Sequence, residues 1–565
     1  MGIRIIDQVR LHINAPTHPS KKFIKFSTEE MVSKRIAVIG GGPMGVATVK
    51  CLKEEGIEPT CFERTNFIGG LWRYHDDDLD GLASVMKTTV INNSKEMGAI
   101  SDFPPKENVP NYMHNKQVYE YIISYANKFD VIRHINLNKE VIKVDLADDY
   151  DKTGRLRVAI KDLKTQTVSE EVYDGVCVCI GHHVYPNMPT FKGMEKFKGT
   201  IMHTHSLKKV NQFDDKVVVV VGVGNSGMDA AVEISAVASQ VYLSTRRGAW
   251  VIPRVGPWGL PIDVALQRRY LDILFKYLPY NFVCWVCERV TNERFDHSMY
   301  NLKPQHRIWS QHATISDSLP IKLLSGAVLV RKNIKEFTEN GVIFENDENV
   351  TECDAVVFAT GYKIKFPFLS EELTSVKNNE VHLYKYIFPP HMKHPSLAIL
   401  GLVQVQGGGF PVGEAQARLA SLVLNGKLSL PARAEMEADI KAKREENKKR
   451  YAQSERHTIQ ADYIPYLDDV TALFGAKPNL FKIFFTDPVL FWTLWFGPSL
   501  PYQYRLQGPH TWPGARQAIL DWKKRIVKPL KSDYEGEDPS LTILKISLFV
   551  FIFAIIIAFF VKVLL

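Results

Sequence analysis

The stretch RIAVIGGGPMGVATVKCLKEEGIEPTCFERTNFIGGLWRY, residues 35–74, decides the fold of this chain. It opens with an unbroken apolar run, Ile36 to Ile39, which is typical of a strand buried on both faces of a parallel sheet. Gly40, Gly42 and Gly45 follow at the spacing G-x-G-x-x-G. The first such glycine permits a tight turn, the second lets a pyrophosphate approach the backbone, and the third lets helix and strand pack closely. The pattern predicts a dinucleotide site.

A helix and a second strand complete this first unit. The helix is predicted from Pro43 to about Glu55, with its positive N-terminal end toward the pyrophosphate. The strand from Pro59 to Phe62 ends at Glu63, whose carboxylate is placed to accept hydrogen bonds from ribose hydroxyls, so a free 2′-hydroxyl is expected. The sequence Gly-Gly-Leu-Trp that follows suits backbone wrapping around a flavin. The predicted cofactor contacts of this unit are Gly40, Gly41, Gly42, Pro43, Met44, Gly45, Glu63, Gly70, Leu71 and Trp72.

A second copy of the pattern begins with the all-valine strand Val217 to Val221, and a helix is predicted from Asn225 to about Ala236. The next strand ends in Ser-Thr-Arg-Arg and so has no carboxylate to accept a hydrogen bond from a free 2′-hydroxyl. Its two guanidiniums could instead pair with a 2′-phosphate. The two strand ends therefore predict FAD at the first site and NADPH at the second. The predicted NADPH contacts are Gly222, Gly224, Asn225, Ser226, Gly227, Met228, Asp229, Arg246 and Arg247.

Later strands predict how the two units are connected. Asp354 to Thr360 and Leu397 to Gly401 read as buried strands that return to the first sheet, which would make the NADPH domain an insertion in the FAD domain. The predicted fold class is α/β, with two dinucleotide-binding Rossmann-like domains and a C-terminal transmembrane helix. The predicted boundaries are an N-terminal extension at 1–34, the FAD domain at 35–180 and 336–430, the NADPH domain at 181–335, a helical membrane-associated region at 431–540 and a transmembrane tail at 541–565.

The tail prediction rests on an almost wholly apolar segment, Leu541 to Leu565, which has the roughly 20 residues that a hydrocarbon core requires. No signal peptide precedes the first unit, so we expect a tail anchor with the two predicted dinucleotide-binding domains on the cytosolic side. Phe481 to Tyr504 is crowded with aromatic residues and is interpreted as an interfacial segment, with a substrate tunnel or plain core as alternatives.

Charge and cysteine content argue against a nucleic-acid-binding protein, a disulfide-rich protein and a zinc protein. The net charge of +8 is spread along the chain, a mild bias toward an anionic membrane surface with no basic block for nucleic acid. Seven cysteines without framework spacing indicate a reducing compartment. Cys284 and Cys287 form a CxxC, but no second pair accompanies them at zinc spacing, so they are interpreted as small buried residues on a helix and no metal is expected.

Taken together, the motifs from about Arg35 onward resemble the flavin-containing monooxygenases of the eukaryotic microsomal type, the dimethylaniline N-oxide-forming family. The family signature F-x-G-x-x-x-H-x-x-x-F/Y is present at Phe197, Gly199 and His203, with Leu207 in place of the aromatic residue. The other matching motifs are Gly40 to Gly45, Gly69 to Trp72, NSKEM at Asn93 to Met97, DFP at Asp102 to Pro104, GVGNSG at Gly222 to Gly227, STRRGAW at Ser244 to Trp250, FATGY at Phe358 to Tyr362 and EAQAR at Glu414 to Arg418.

The resemblance implies an NADPH- and O2-dependent monooxygenase that forms a C4a-hydroperoxyflavin and oxygenates a soft nucleophile at nitrogen or sulfur. It also implies an endoplasmic reticulum membrane location with lipid as a partner, and it allows a homodimer. Asn92 matches the family's active-site asparagine and is assigned as the catalytic residue, with contacts to both cofactors, and Asn93 is assigned to the FAD site. Without the resemblance the pair would be an ordinary polar turn.

Three alternatives compete with this assignment. A flavin disulfide reductase would need a close cysteine pair next to the flavin, and Cys51 and Cys61 are too far apart in the sequence. A tail-anchored flavoprotein that acts as an NADPH oxidase or a binding partner would share both cofactor sites. A Baeyer–Villiger reaction on a ketone would use the same scaffold.

Overall fold

The computed structural model describes residues 34–532 apart from 80, 375, 378 and 452–457. The predicted N-terminal extension, except for Lys34, and the predicted tail at 541–565 lie outside the described residues. Within the described ranges, no helix combines the length and the apolar character that crossing a membrane requires.

The first sheet forms because its strands are short and apolar on both faces. Its five strands are all parallel, and the valine and isoleucine side chains at its centre are fully buried. In spatial order they are Leu397–Ile399, Gly175–Val178, Arg35–Ile39, Glu58–Glu63 and Ile135–Leu137. The first and last strands of this sheet in the chain lie on either side of the whole second sheet, so the second unit is an insertion in the first.

The second sheet repeats the first. It also has five parallel strands, in the spatial order Val328–Arg331, Gln240–Ser244, Val217–Val221, Ala355–Phe358 and Thr200–His203. Ala355–Phe358 pairs directly with Val217–Val221, so the sequence interpretation that placed residues 354–360 in the first sheet is wrong. The predicted return at residue 336 is wrong for the same reason, because the chain rejoins the first sheet only at Leu397–Ile399.

The two chain segments that connect the units pair with each other. Tyr185–Pro186, on the way to the second sheet, pairs antiparallel with Tyr362–Lys363 on the way back. The signature segment lies just beyond: a Cβ on Gly199 would come 2.4 Å from the carbonyl oxygen of Asp354, so glycine is required there. Leu207 is fully buried in the core of the second unit, which an aliphatic side chain therefore fills where the family has an aromatic one.

Smaller sheets extend both units. Each unit carries a three-stranded antiparallel sheet, made of Lys139–Leu146, Leu156–Asp162 and Val168–Tyr173 in the first and of Ile334–Phe337, Gly341–Phe344 and Thr351–Glu352 in the second. The other strand pairs are Val251–Ile252 with Thr314–Ile315, Val376–Lys377 with Glu380–Val381, and Gln404–Val405 with Gln460–Ala461.

The helices cover the sheets and build the C-terminal region. Helix Gly409–Leu424 packs against helix Pro43–Glu54 and is buried along nearly its whole length. The remaining α-helices are Asn115–Lys128, Tyr150–Thr153, Asn225–Ile234, Ile262–Leu266, Arg269–Tyr277, Tyr280–Arg294, Leu319–Leu324, Arg433–Arg450, Tyr463–Ala472, Leu480–Thr486, Pro488–Phe496, Ala515–Leu520 and Trp522–Val527. The CxxC lies on Tyr280–Arg294 as predicted, with Cys284 buried and Cys287 half-buried.

Buried ion pairs fix the C-terminal region onto the first unit. Arg505 is 1% exposed and contacts Glu414 at 2.6 Å and Asp102 at 3.0 Å. Because leaving either partner alone would bury an uncompensated charge, removing one is strongly destabilising. The C-terminal region up to residue 532 is therefore part of one structure with the FAD-type unit.

Candidate functional site

The first glycine turn has the geometry that its sequence predicts. Gly40 has a φ of 103°, in the left-handed region that favours glycine. A Cβ on Gly45 would lie 1.8 Å from the carbonyl oxygen of Gly40, so the helix could not begin so close to the strand with any other residue. Pro43 and Met44 form the first turn of that helix, and Met44 packs against Gly401.

The Glu63 carboxylate holds this turn together. Its Oε2 accepts a 2.6 Å hydrogen bond from the backbone N–H of Gly41, and its Oε1 accepts bonds of 2.8 Å from the backbone and hydroxyl of Thr65. The side chain is buried at the carboxyl end of the second strand, next to the glycine turn. A ribose bound along the turn would meet this carboxylate.

A second turn closes over the first. Gly69, at φ 106°, donates through its N–H to the carbonyl oxygen of Gly41 at 2.9 Å. The short 3₁₀ helix Gly70–Trp72 follows, and a Cβ on Gly70 would lie 3.1 Å from the Cα of Gly42. Leu71 is half-buried within it, and Trp72 packs edge-on against Phe410 with ring centroids 6.3 Å apart. The structure thus brings all the FAD residues predicted on 40–72 around one backbone cradle.

The second glycine turn matches the first in detail. Gly222 has a φ of 114°, and a Cβ on Gly227 would lie 2.0 Å from the carbonyl oxygen of Gly222. A Cβ on Gly224 would meet nothing within 4 Å, so at this position the turn leaves open space in front of its backbone. The Oδ1 of Asn225 accepts a 2.7 Å bond from the N–H of Ile315, which ties the helix start to the adjacent strand.

The remaining residues predicted for NADPH lie in different environments. Arg246 and Arg247 are exposed directly after the strand Gln240–Ser244, at the same end as the glycine turn. Ser226 is also exposed, whereas the side chain of Met228 is fully buried in the core of the second unit. Burial raises the pKa of Asp229 to about 6, against the opposing charge of Arg254.

Asn92 and Asn93 lie in the wall of a cavity of about 1410 Å³ that both units line. The second unit contributes Asn225, which starts the helix after the second glycine turn. Most of the lining is apolar, and it includes Val251, Ile252, Ile262, Leu266, Phe275, Val283, Val286 and Val290. Charged side chains, among them Asp272, Arg294 and Arg450, also line it, so the cavity combines apolar walls with polar groups that could orient a small molecule.

Sequence reasoning missed the residues that contact the Asn92 turn. Arg254 donates through Nη2 to the Oδ1 of Asn92 at 2.6 Å, and its own backbone N–H donates to Oδ1 of Asp317 at 2.9 Å. Asp263 accepts a 2.6 Å bond from the backbone N–H of Ser94. The one available signal was position: Arg254 follows the STRRGAW motif by four residues.

Both cofactors fit these residues. Each glycine turn presents backbone N–H groups at a helix N-terminus, where an anionic pyrophosphate is favoured. Gly45 and Gly227, the third glycine of each turn, leave no room for a Cβ. A dinucleotide would occupy the open space in front of the Gly224 backbone. A buried carboxylate at Glu63 suits the unphosphorylated ribose of FAD, and exposed guanidiniums after Ser244 suit the 2′-phosphate of NADPH.

Comparison with known proteins also indicates a flavin-binding enzyme. The family described as FMO-like, flavin-binding monooxygenase-like, matches residues 33–565. Human flavin-containing monooxygenase 5 is 46% identical over 536 residues, covering 94% of this chain and 100% of that relative. The rabbit (Oryctolagus cuniculus) dimethylaniline monooxygenase [N-oxide-forming] 2 is 41% identical over 530 residues, covering 94% of this chain and 99% of that relative.

A solved structure shares the fold. The S-allyl-L-cysteine S-oxygenase from Allium sativum superposes with a TM-score of 0.60 at 22% identity, covering 88% of this chain and 99% of that one. The architecture and the family match together confirm the resemblance that the motifs indicated. The chain therefore belongs to the flavin-binding monooxygenase-like family, and it is a flavin-dependent monooxygenase of the microsomal type with FAD and NADPH as its cofactors.

Proposed function

We propose that this enzyme uses NADPH and O2 to oxygenate soft nucleophiles, at the nitrogen of amines or the sulfur of thioethers. The observation that carries this proposal is the pair of glycine turns with opposite strand ends, Glu63 on one and Arg246–Arg247 on the other, together with a cavity that both units line. When bound, NADPH supplies a hydride, and FAD, once reduced, supplies the activated oxygen. The protein then has to bind, orient and exclude water.

The residues of the cavity suit those tasks. Apolar side chains such as Ile252, Ile262 and Val283 line its walls and disfavour water next to the reacting groups. Asn92 supplies a neutral amide in this wall, and an amide can hold a bound group in position without taking its proton. A substrate of this enzyme therefore needs its own nucleophilic electron pair, because the proposed site contributes orientation rather than an attacking group.

The test is the fate of oxygen per NADPH oxidised. Purified enzyme with FAD is supplied with NADPH in air, with and without methyl p-tolyl sulfide or a tertiary amine, and both hydrogen peroxide and oxygenated product are measured. Coupled oxygenation predicts product in step with NADPH and little peroxide when the thioether is present. An NADPH oxidase would give peroxide regardless of substrate. A cyclic ketone in place of the thioether reports Baeyer–Villiger activity.

We also propose that the described domains rest on a membrane surface. Aromatic and aliphatic side chains are exposed along helices Leu480–Thr486 and Pro488–Phe496, with Phe481 78% and Phe485 68% exposed, and again on helix Tyr280–Arg294. Helix Arg269–Tyr277 lies between these helices, since its Tyr270 packs against Phe496 with ring centroids 5.4 Å apart and the same helix contacts Tyr280–Arg294. Exposed apolar surface of this extent indicates a membrane or protein contact.

The cavity opens at this same surface. Val286 and Val290 both line the cavity and are exposed, at 38% and 62% respectively. Leu480, at the start of the aromatic helices, lines the cavity as well. An apolar substrate dissolved in lipid would therefore reach the cavity without crossing water. With the predicted tail, this supports the proposal of an endoplasmic reticulum membrane protein with its catalytic units in the cytosol; pairing of two copies stays a prediction.

A further inference from the structure

Four long-range hydrogen bonds join the segment 254–263 of the inserted unit to the segment 92–112 of the first unit. Arg254 donates through Nη2 to Asn92 Oδ1 at 2.6 Å, and the backbone N–H of Ser94 donates to Asp263 Oδ2 at 2.6 Å. The Tyr112 hydroxyl donates to the carbonyl oxygen of Arg254 at 2.7 Å and accepts from the N–H of Ile262 at 3.3 Å. We call these four hydrogen bonds the clasp.

The Arg254 contact fixes which way the Asn92 amide points. A guanidinium has only donors, so the atom of Asn92 that it meets is the carbonyl oxygen. Arg254 is itself held, since Asp317 accepts from its backbone N–H at 2.9 Å and lies 3.4 Å from its Nη1. The nitrogen of Asn92, with its two hydrogens, is then the end that remains for a group bound in the cavity. Asn92 acts as a donor in this arrangement.

The Asp263 contact fixes the backbone of the same turn. Its side chain is 7% exposed and accepts two backbone bonds, from Ser94 at 2.6 Å and from Val264 at 2.9 Å. Burial nevertheless raises the pKa of this carboxyl to about 6, and the two N–H donors oppose the shift. Burying a carboxyl costs desolvation free energy. The Ser94–Asp263 bond joins residues 169 positions apart in the sequence, so this buried carboxyl connects the two units rather than closing a local turn.

We propose that Asp263 is a positioning residue that fixes the Asn92–Ser94 turn of the first unit to the inserted unit, with Arg254 and Tyr112 completing the clasp. The proposal rests on the proposed function, because it assigns Asn92 a role at the reacting groups. The clasp would then set the direction of the Asn92 amide at the boundary between the two units. If the clasp loosens, water reaches the cavity and oxygen leaves as hydrogen peroxide instead of entering the substrate.

The experiment compares Asp263→Ala and Tyr112→Phe with the unaltered enzyme. Tyr112→Phe deletes a single hydroxyl, so it tests the clasp even if Asp263→Ala folds poorly. Asp354→Asn is the matched control, because its Oδ2 also accepts a long-range backbone bond, from Val217 at 2.8 Å, at the opposite end of the second sheet from its glycine turn. Peroxide per NADPH, FAD content and thermal unfolding are measured for each, with methyl p-tolyl sulfide as substrate.

We expect both clasp variants to retain FAD and to release more peroxide per NADPH, by roughly tenfold for Asp263→Ala, which is the effect of one charge-assisted hydrogen bond. Asp354→Asn should match the unaltered enzyme in coupling. Adding Asp263→Ala to Asn92→Ala should change coupling no further, because Asp263 acts through the Asn92 turn.

Two results overturn the clasp. One is unchanged coupling in both Asp263→Ala and Tyr112→Phe, and the other is a full additional effect of Asp263→Ala in the Asn92→Ala background. Failure of the proposed function has a different signature, since the unaltered enzyme itself would then make no sulfoxide and convert all its NADPH to peroxide.

Discussion

The backbone N–H of Gly41 and Oε2 of Glu63 form a 2.6 Å hydrogen bond between the glycine turn and the end of the second strand. The Glu63 side chain is 7% exposed, and its other oxygen is occupied by Thr65. The carboxylate that is expected to meet the ribose is therefore the same group that shapes the pyrophosphate turn. Cofactor selection and turn geometry depend on one side chain.

Glu63→Gln should reduce FAD retention. Glutamine has one acceptor oxygen, whereas both carboxylate oxygens accept from N–H donors here, so the new NH2 group must face a donor. We expect a loss of about 1.5 to 3 kcal/mol in FAD binding, as for a hydrogen bond to a charged group. Flavin content after extensive dialysis measures it. Glu58→Gln, at the exposed start of the same strand, is the control, and equal flavin retention in both variants would contradict the role of Glu63.

Gly224→Ala should separate ligand approach from folding. The added methyl group would meet no protein atom within 4 Å, so FAD content and thermal unfolding should stay unchanged. The methyl group would instead stand where the second turn is expected to receive a pyrophosphate. The affinity for NADP+, measured by equilibrium dialysis, should fall by roughly tenfold or more. Unchanged NADP+ affinity would place the dinucleotide elsewhere.

Arg246→Ala together with Arg247→Ala should change the choice of nicotinamide cofactor. Both residues are exposed after strand Gln240–Ser244, where guanidiniums can pair the 2′-phosphate that only NADPH carries. The KM for NADPH should rise by about ten- to a hundredfold, and that for NADH should change much less. Arg133→Ala, an exposed arginine of the first unit, is the control. Equal increases in the KM for NADPH and for NADH would mean that the two arginines do not contact the 2′-phosphate.

Membrane binding should depend on the aromatic helices as well as on the predicted tail. Removing residues 541–565 should shift the protein from the membrane pellet only in part. Replacing Phe481, Phe485 and Trp492 by serine in that shortened protein should release the remainder, because burying each large apolar side chain contributes about 1.5 to 3 kcal/mol. Serine at Val168, exposed on the first unit, is the control in a liposome flotation assay. Undiminished flotation of the triple variant would contradict the interfacial role.

The local parts of this architecture were readable from the sequence. Both glycine turns, and the helices and strands beside them, depend on residues a few positions apart. The glycine spacing alone predicts the close contact between the first and third glycine of each turn. The apolar face of helix Asn115–Lys128 is buried in the same local way, since Val118, Tyr121, Ile122 and Tyr125 recur at helical spacing.

The non-local parts were not readable. A short apolar strand such as Ala355–Phe358 looks the same in either sheet, because both sheets are parallel and buried on both faces. Arg254 and Asp263 were missed because their partners lie 162 and 169 residues away, and nothing near them in the sequence indicates those contacts. The tail remains a sequence prediction because it lies outside the described residues.

Oxygen transfer to the substrate is tested by the origin of the oxygen atom in the product. The enzyme with FAD and NADPH is given methyl p-tolyl sulfide under oxygen-18 gas, and the sulfoxide is analysed by mass spectrometry. We predict one labelled oxygen atom in each sulfoxide molecule, formed in step with NADPH oxidation. Unlabelled sulfoxide, or complete conversion of NADPH and O2 to hydrogen peroxide without sulfoxide, would show that the enzyme does not couple its two cofactors to oxygen transfer in the cavity beside Asn92.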